Sequence, residues 1–151
     1  MSTIIQGPEL RALNFGRRES KSTGTLASST VSLFTVAGGQ IALTSVYGLV
    51  GTAITVANSY KLQHNPTSGT TVDLCAATDI GTTDTAAGNL LGFTGEVTGS
   101  NLSRGGAVET LRAPIVLAAG QVESVSAGTD GEITWVVTWV PLDDGATLVA
   151  A

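Results

Sequence analysis

An all-β fold is the class this chain predicts, and three observations carry the prediction. Between Val31 and Ile80 apolar residues alternate with Thr, Ser or Gly in short bursts separated by Gly-Gly, Gly-Thr and Asn-Pro-Thr-Ser-Gly. Near the other end Ile133, Trp135, Val137 and Trp139 alternate with Thr134 and Thr138, the period-2 pattern of a strand with one buried face. The 19 glycines and many threonines favour strands and tight turns over helices. With 151 residues, the expectation is one domain: an extended N-terminal arm over 1–30 and a β-rich body over 31–151. The body reads as a β-sandwich, jelly roll or small β-barrel of about eight strands.

The elements follow in order. Gly7-Pro8 and Gly16 interrupt regular structure in the arm, and SKSTGTLASST reads as a flexible polar connector. Val31–Ala37 is the first strand, with Leu33 on one face and Phe34 and Val36 on the other. Gly38-Gly39 supplies the positive φ angles of a hairpin turn. Ile41–Val50 then places Ile41, Leu43, Tyr47 and Leu49 on one face and Val46 and Val50 on the opposite one. In Ala53–Gln63 the residues Ile54 and Val56 face inward.

His64-Asn65-Pro66-Thr67-Ser68-Gly69 is the clearest turn, with Pro pre-setting φ and Gly closing the loop. Thr71–Ala77 and Leu90–Val97 read as strands, and 79–89 as a loop or a short helix capped near Thr83. Gly99–Gly106 is a loop, Pro114–Ala119 and Gln121–Ser126 flank Gly120, and Asp130-Gly131 turns the chain into Glu132–Val140.

Charge is scarce. Charged residues make up 13% of the chain, against about 25% in typical domains, and residues 22–60 contain no Asp, Glu, Lys or Arg. A surface this poor in charge has few groups to keep it monomeric, so copies of itself or a partner should cover much of it. The net charge of −5 is also uneven. Residues 1–21 carry Arg11, Arg17, Arg18 and Lys21 against Glu9 and Glu19, whereas the remainder carries three basic groups against ten acids. Four cations interrupted by Glu19 make a weak footprint for nucleic acid, and no direct nucleic-acid contact is expected. The uncharged stretch Ile41–Ala57 is too short and too rich in Thr and Gly for a membrane-spanning helix.

Chemistry is hard to assemble from these residues. His64 is the one histidine and reads as a surface imidazole, so a triad or a zinc site would depend on it alone. Cys75 is the one cysteine and reads as a small buried hydrophobe. Gly48-Leu49-Val50-Gly51-Thr52-Ala53 lacks the Lys-Ser/Thr ending of a phosphate loop. Asp73, Asp79 and Asp84 do not match calcium-loop spacing. Carboxylate pairs for glycoside hydrolysis need not be close in sequence, yet 5% aromatics leave little for a sugar-stacking cleft. Trp135 and Trp139 share a strand face and read as core or subunit interface. The expectation is a non-enzymatic contact protein with no cofactor and no metal.

Three blocks carry a resemblance: LFTVAGGQIALTSVYGLVGTAITVANSYKLQHNPTSGTTVDLCAATDI, LRAPIVLAAGQVESVSAGTDGEITWVVTWVPLDDGATLVAA and the loop GNLLGFTGEVTG. Together they resemble small capsid decoration or minor capsid proteins of tailed bacteriophages, over most of residues 31–151. The resemblance implies a β-rich homo-oligomer, with a trimer favoured, made in the host bacterial cytoplasm. It would sit on the capsid surface of the virion and bind the major capsid protein. On that reading the arm attaches, through Ile4, Ile5 and Leu10 as apolar anchors and Arg11, Arg17 and Arg18 as charges. Two other readings compete: a tail or fibre module binding a host-surface glycan, and a hydrolase with His64 or a carboxylate pair in a pocket.

Overall fold

The computed structural model describes residues 6–94 and 99–151, a mostly β chain with one short helix. Its elements are α1 (Gly7–Phe15), β1 (Arg17–Thr25), β2 (Ser29–Ala37), β3 (Ile41–Thr52), β4 (Ser59–Pro66), β5 (Val72–Asp73) and β6 (Thr78–Asp79). They continue with β7 (Leu90–Phe93), β8 (Leu102–Gly105), β9 (Ile115–Leu117), β10 (Gly120–Ser126), β11 (Glu132–Pro141) and β12 (Thr147–Ala150). The first sheet runs β1-β11-β3-β7-β8, with β9 also on β3; the second runs β12-β2-β10-β4-β5, with β6 also on β4. All pairings are antiparallel, and the two sheets form a sandwich rather than a closed barrel.

From β1 to β4, and again from β9 to β12, successive strands alternate between the two sheets. Consequently Gly38-Gly39 does not close a hairpin. It carries the chain from β2 in the second sheet to β3 in the first, with φ of 75° and 143°. Asp130-Gly131 makes the corresponding corner from β10 to β11. The Asp130 carboxylate accepts hydrogen bonds from Thr55 N (2.8 Å), Thr55 Oγ1 (2.7 Å) and Val56 N (3.2 Å), which fastens that corner to the loop after β3.

Two bulges reassign faces that strict alternation predicts. Trp139 pairs with Leu43 and Thr138 with Ser45, so Thr44 is an extra residue on β3. Parity flips there: Ile41 and Leu43 face the core, then Val46 and Val50 do, while Leu49 is exposed and Tyr47 half-buried. On β2, Phe34 pairs with Val122 and Ser32 with Glu123, which leaves Leu33 without an opposite residue on β10. Leu33 and Phe34 are therefore both buried instead of pointing apart.

Other expectations are corrected as well. Among the described residues there are twelve strands rather than about eight, since β1, β6, β8 and β12 add to those expected and the expected Thr71–Ala77 strand shrinks to the two residues of β5. Val56 is exposed, although Ile54 is buried as expected. The turn expected at 64–69 begins later, because β4 continues to Pro66 against Gly120. Residues 95–98, the end of the expected Leu90–Val97 strand, lie outside the described residues.

The core fills the space between the sheets. Ile133, Trp135, Val137 and Trp139 of β11 all face it, as their alternation predicts. Trp135 stacks on Tyr60 across the sandwich at 6.1 Å between ring centroids, and its Nε1–H donates to Tyr60 Oη at 2.7 Å. Cys75 is buried, with Sγ accepting from Leu62 N at 3.2 Å, and burial pushes its thiol pKa up to about 11. It stays protonated and inert near neutrality.

Candidate functional site

Residues 6–30 do not behave as one loose arm. Glycine and proline at 7, 8 and 16 bound a helix instead of breaking one. Pro8 sits in the first turn of α1, where a missing N–H costs nothing. Glu9 reaches back to accept from Gln6 N at 2.9 Å, and Gly16 ends the helix, its N–H bonding Ala12 O at 3.0 Å. Gly16 has φ 94°, and a Cβ there would lie 2.5 Å from the Trp139 carbonyl oxygen. Only glycine fits that crossing.

The supposed connector is an ordered edge strand. From Arg17 opposite Trp139 to Thr25 opposite Glu132, β1 pairs along β11. Ladder bonding to β11 outweighs the intrinsic looseness of its Ser, Thr and Gly residues. The Lys21 ammonium also bonds the C-terminal Ala151 oxygen, which ties β1 to the end of β12. A boundary at residue 30 therefore cuts through the body, and the segment that stands off it is α1.

No residue of α1 is buried. Leu13 is 73% exposed, Phe15 67% and Leu10 48%. The helix touches the body near its C-terminal end, where Thr44 Oγ1 donates to Phe15 O at 2.8 Å. A groove of about 450 Å³ lies between α1 and the end of the first sheet, with Ala12 and Leu13 facing Trp139, Val140 and Pro141. Glu9 and Arg17 also line it. The Arg17 guanidinium lies 5.4 Å from the centre of the Trp139 ring.

Of the residues expected to bind a partner, Leu10, Arg11, Arg17 and Arg18 are all exposed at this end of the molecule. Leu10 and Arg11 lie on α1, while Arg17 and Arg18 open β1. Ile4 and Ile5 lie outside the described residues. Sequence reasoning missed Leu13 and Phe15 because it missed the helix. The signals were present: acceptor and donor three apart at Gln6 and Glu9, Pro8 in the first turn and Gly16 after the last.

The chemistry expected of His64 is also placed differently. Its side chain turns inward from β4 and is only 7% exposed, not a surface imidazole in a turn. Burial pushes its pKa below the ordinary 6.5. Among the described residues no group of three or more His, Cys, Asp or Glu is placed to hold a metal ion. The Asp79 carboxylate is held well below the usual range by bonds from Thr82 Oγ1, Gly81 N, Thr82 N and Asn58 N, the work of a turn. No described helix is long and apolar enough to cross a membrane. Comparison with known protein families, curated proteins and solved structures found no match to this chain.

Proposed function

We propose that this chain is a non-enzymatic virion structural protein, a cement protein that binds the outside of a phage head and stabilises its lattice. The observation that carries the reading is α1: capped at both ends, standing at the rim of the sandwich, and burying none of its own side chains. A nine-residue helix is marginal in water without tertiary packing. Its exposed Leu10, Leu13 and Phe15 beside Arg11 therefore suit a surface supplied by another protein. The resemblance of the strand-and-turn blocks to capsid decoration proteins supports the same reading, as does a body with so little charge to oppose close neighbours. The major capsid protein is the proposed partner, and a homotrimer the proposed form.

The mechanism is mass action. A ligand that binds the assembled lattice and not free subunits stabilises the lattice by about 2.7 kcal/mol per site at a hundredfold excess over Kd. Symmetry multiplies weak single contacts into avidity. The test is co-sedimentation with heads that lack this protein. Wild type should bind and raise the temperature at which heads burst, while a variant lacking residues 2–15 should bind at least about tenfold more weakly, the loss of ~1.4 kcal/mol per site. The truncation stops at 15 because residues 17–25 belong to the first sheet. Undiminished binding by that variant refutes arm attachment, and binding to host cells instead of heads favours the glycan-binding tail module.

A further inference from the structure

Asp-Gly occurs twice in this chain, at Asp130-Gly131 and at Asp144-Gly145. Each pair lies where the chain crosses between sheets, the first from β10 to β11 and the second from β11 to β12. The two glycines also share a conformation, with φ of 83° at Gly131 and 84° at Gly145. Sequence and local backbone do not tell the pairs apart; their surroundings do. Hydrogen bonds from Thr55 and Val56 clamp the Asp130 carboxylate and hold its pKa below the ordinary value. Gly131 is buried, and a Cβ there would collide with Ile54. Asp144 and Gly145 are both exposed. Among the described residues neither the Asp144 carboxylate nor the Gly145 N–H has a hydrogen-bond or ion-pair partner.

That freedom has a chemical consequence. The backbone nitrogen that follows an aspartate can attack Cγ of the protonated side chain and close a five-membered ring. Glycine hinders the approach least, having no Cβ and the widest choice of φ and ψ. In this step the bond from Gly145 N to Asp144 Cγ forms, the Cγ–OH bond breaks, and the amide proton leaves with the hydroxyl as water. Water then adds to either carbonyl of the succinimide. Opening at Cγ restores aspartate; opening at the main-chain carbonyl leaves isoaspartate, with the peptide running through the side chain. Only water is exchanged, and no atom changes oxidation state. For Asp130 the same step first requires loss of the bonds to its carboxylate and withdrawal of Gly131 from Ile54.

We propose that Asp144 is a site of spontaneous isomerisation to isoaspartate, and that the product loosens β12. The turn is closely fitted. Leu142 N and Asp143 N donate to Gln40 O at 3.0 and 3.3 Å, Ala146 N donates to Asp143 O at 3.1 Å, and the Asp143 carboxylate accepts from Gln40 N at 2.7 Å. The Gly145 carbonyl oxygen occupies the space a Cβ on Gly38 would take, so the two glycines meet backbone to backbone. Isoaspartate adds one methylene to the main chain inside this turn. The added length moves Gly145 off Gly38 and frees the approach to Ala146 and Leu148, the buried residues that anchor β12. The site is separate from α1, and its test needs only the isolated protein, so the decoration reading and this one fail independently.

The test ages the purified full chain in neutral buffer, folded and in urea. Cleavage at Glu123 and Glu132 puts Asp130 on residues 124–132 and Asp144 on residues 133–151. Chromatography separates the isoaspartyl form of each peptide from the aspartyl form of equal mass, and labelling by an isoaspartyl carboxyl methyltransferase identifies it. In the folded chain isoaspartate should build up at Asp144 at least about tenfold faster than at Asp130, which must first give up the hydrogen bonds its carboxylate accepts. In urea, where both pairs are free, the two rates should converge. Asp144→Glu, which cannot close the five-membered ring, should lose the signal from residues 133–151 and leave that from 124–132 unchanged. Hydrogen exchange over 133–151 in the aged chain should split into two populations, the faster one equal to the isoaspartyl fraction. Equal rates in the folded chain, or a difference that persists in urea, overturn the assignment of the site. Uniform exchange in a chain that carries isoaspartate overturns the loosening of β12.

Discussion

Tyr60 and Trp135 show how one polar pair organises an apolar core. Both rings are fully buried, and the indole N–H has the Tyr60 hydroxyl as its acceptor at 2.7 Å. Burial pushes the Tyr60 pKa far above its ordinary value, so the phenol remains protonated. Replacing Tyr60 by Phe keeps the stack but leaves the indole donor unpaired, and chemical denaturation should register a loss of about 1–3 kcal/mol. His64 makes the opposite case, a buried group poorly satisfied. Its folded-state pKa lies below 6.5, so the unfolded chain takes up the proton first. Stability should then fall as pH drops from 6.5 toward the folded-state value, with Glu123 on β10 the nearby acid that opposes the shift. His64→Leu should flatten that limb of the denaturation-midpoint-versus-pH curve; an unchanged slope assigns the effect elsewhere. Asp79 and Asp130 are held low by the hydrogen bonds they accept, so their contribution is present above pH 3.8 and is lost only below it. Two acid windows should therefore separate, and only the upper one should respond to His64.

At the scale of elements, α1 and β1 divide residues 7–25 into parts with different consequences. Among the described residues, removing the chain through Phe15 deletes no buried side chain, so the thermal midpoint should stay within about 2 °C, under 1 kcal/mol for a chain of this size. Extending the truncation through Thr25 strips β1 from β11 and bares the edge opposite Trp135, Val137 and Trp139. A loss of roughly 2 kcal/mol or more should follow, lowering Tm by about 4–8 °C. Gly16→Ala tests the joint between the two: positive φ alone costs about 1–2 kcal/mol, and the Trp139 carbonyl stands in the way. Helical circular dichroism and Tm should both decline in this variant. Edge β1 also explains where the basic charge lies. Arg17, Glu19 and Lys21 pair opposite Trp139, Val137 and Trp135, so charges point toward the open flank of the sandwich. Inward-pointing charge of this kind discourages another strand from adding to the edge. The attachment reading consequently rests on the face of α1.

For the whole molecule, legibility tracked the range of the forces involved. Alternation in Glu132–Val140 identified the central strand and its inward tryptophans, because the pleat sets side-chain period directly. Low charge over 22–60 marked a segment that supplies strands to both sheets. Faces failed at Thr44 and Leu33, since a bulge depends on what the partner strand leaves unpaired. The arm helix failed for a different reason: its caps are local, but its apolar residues cover nothing within the chain, so no burial pattern announces it. His64 failed because Pro66 resembles a turn until β10 is seen alongside it. By itself, then, the sequence determined an all-β chain, the main strands of its core and a surface short of charge, all properties set by residue type and two-residue periodicity. Tertiary structure alone decided that 17–25 is a strand, that α1 stands unburied at the rim, and that the one imidazole turns inward from β4. Those placements depend on pairings between residues far apart along the chain, whose energies no local spacing encodes.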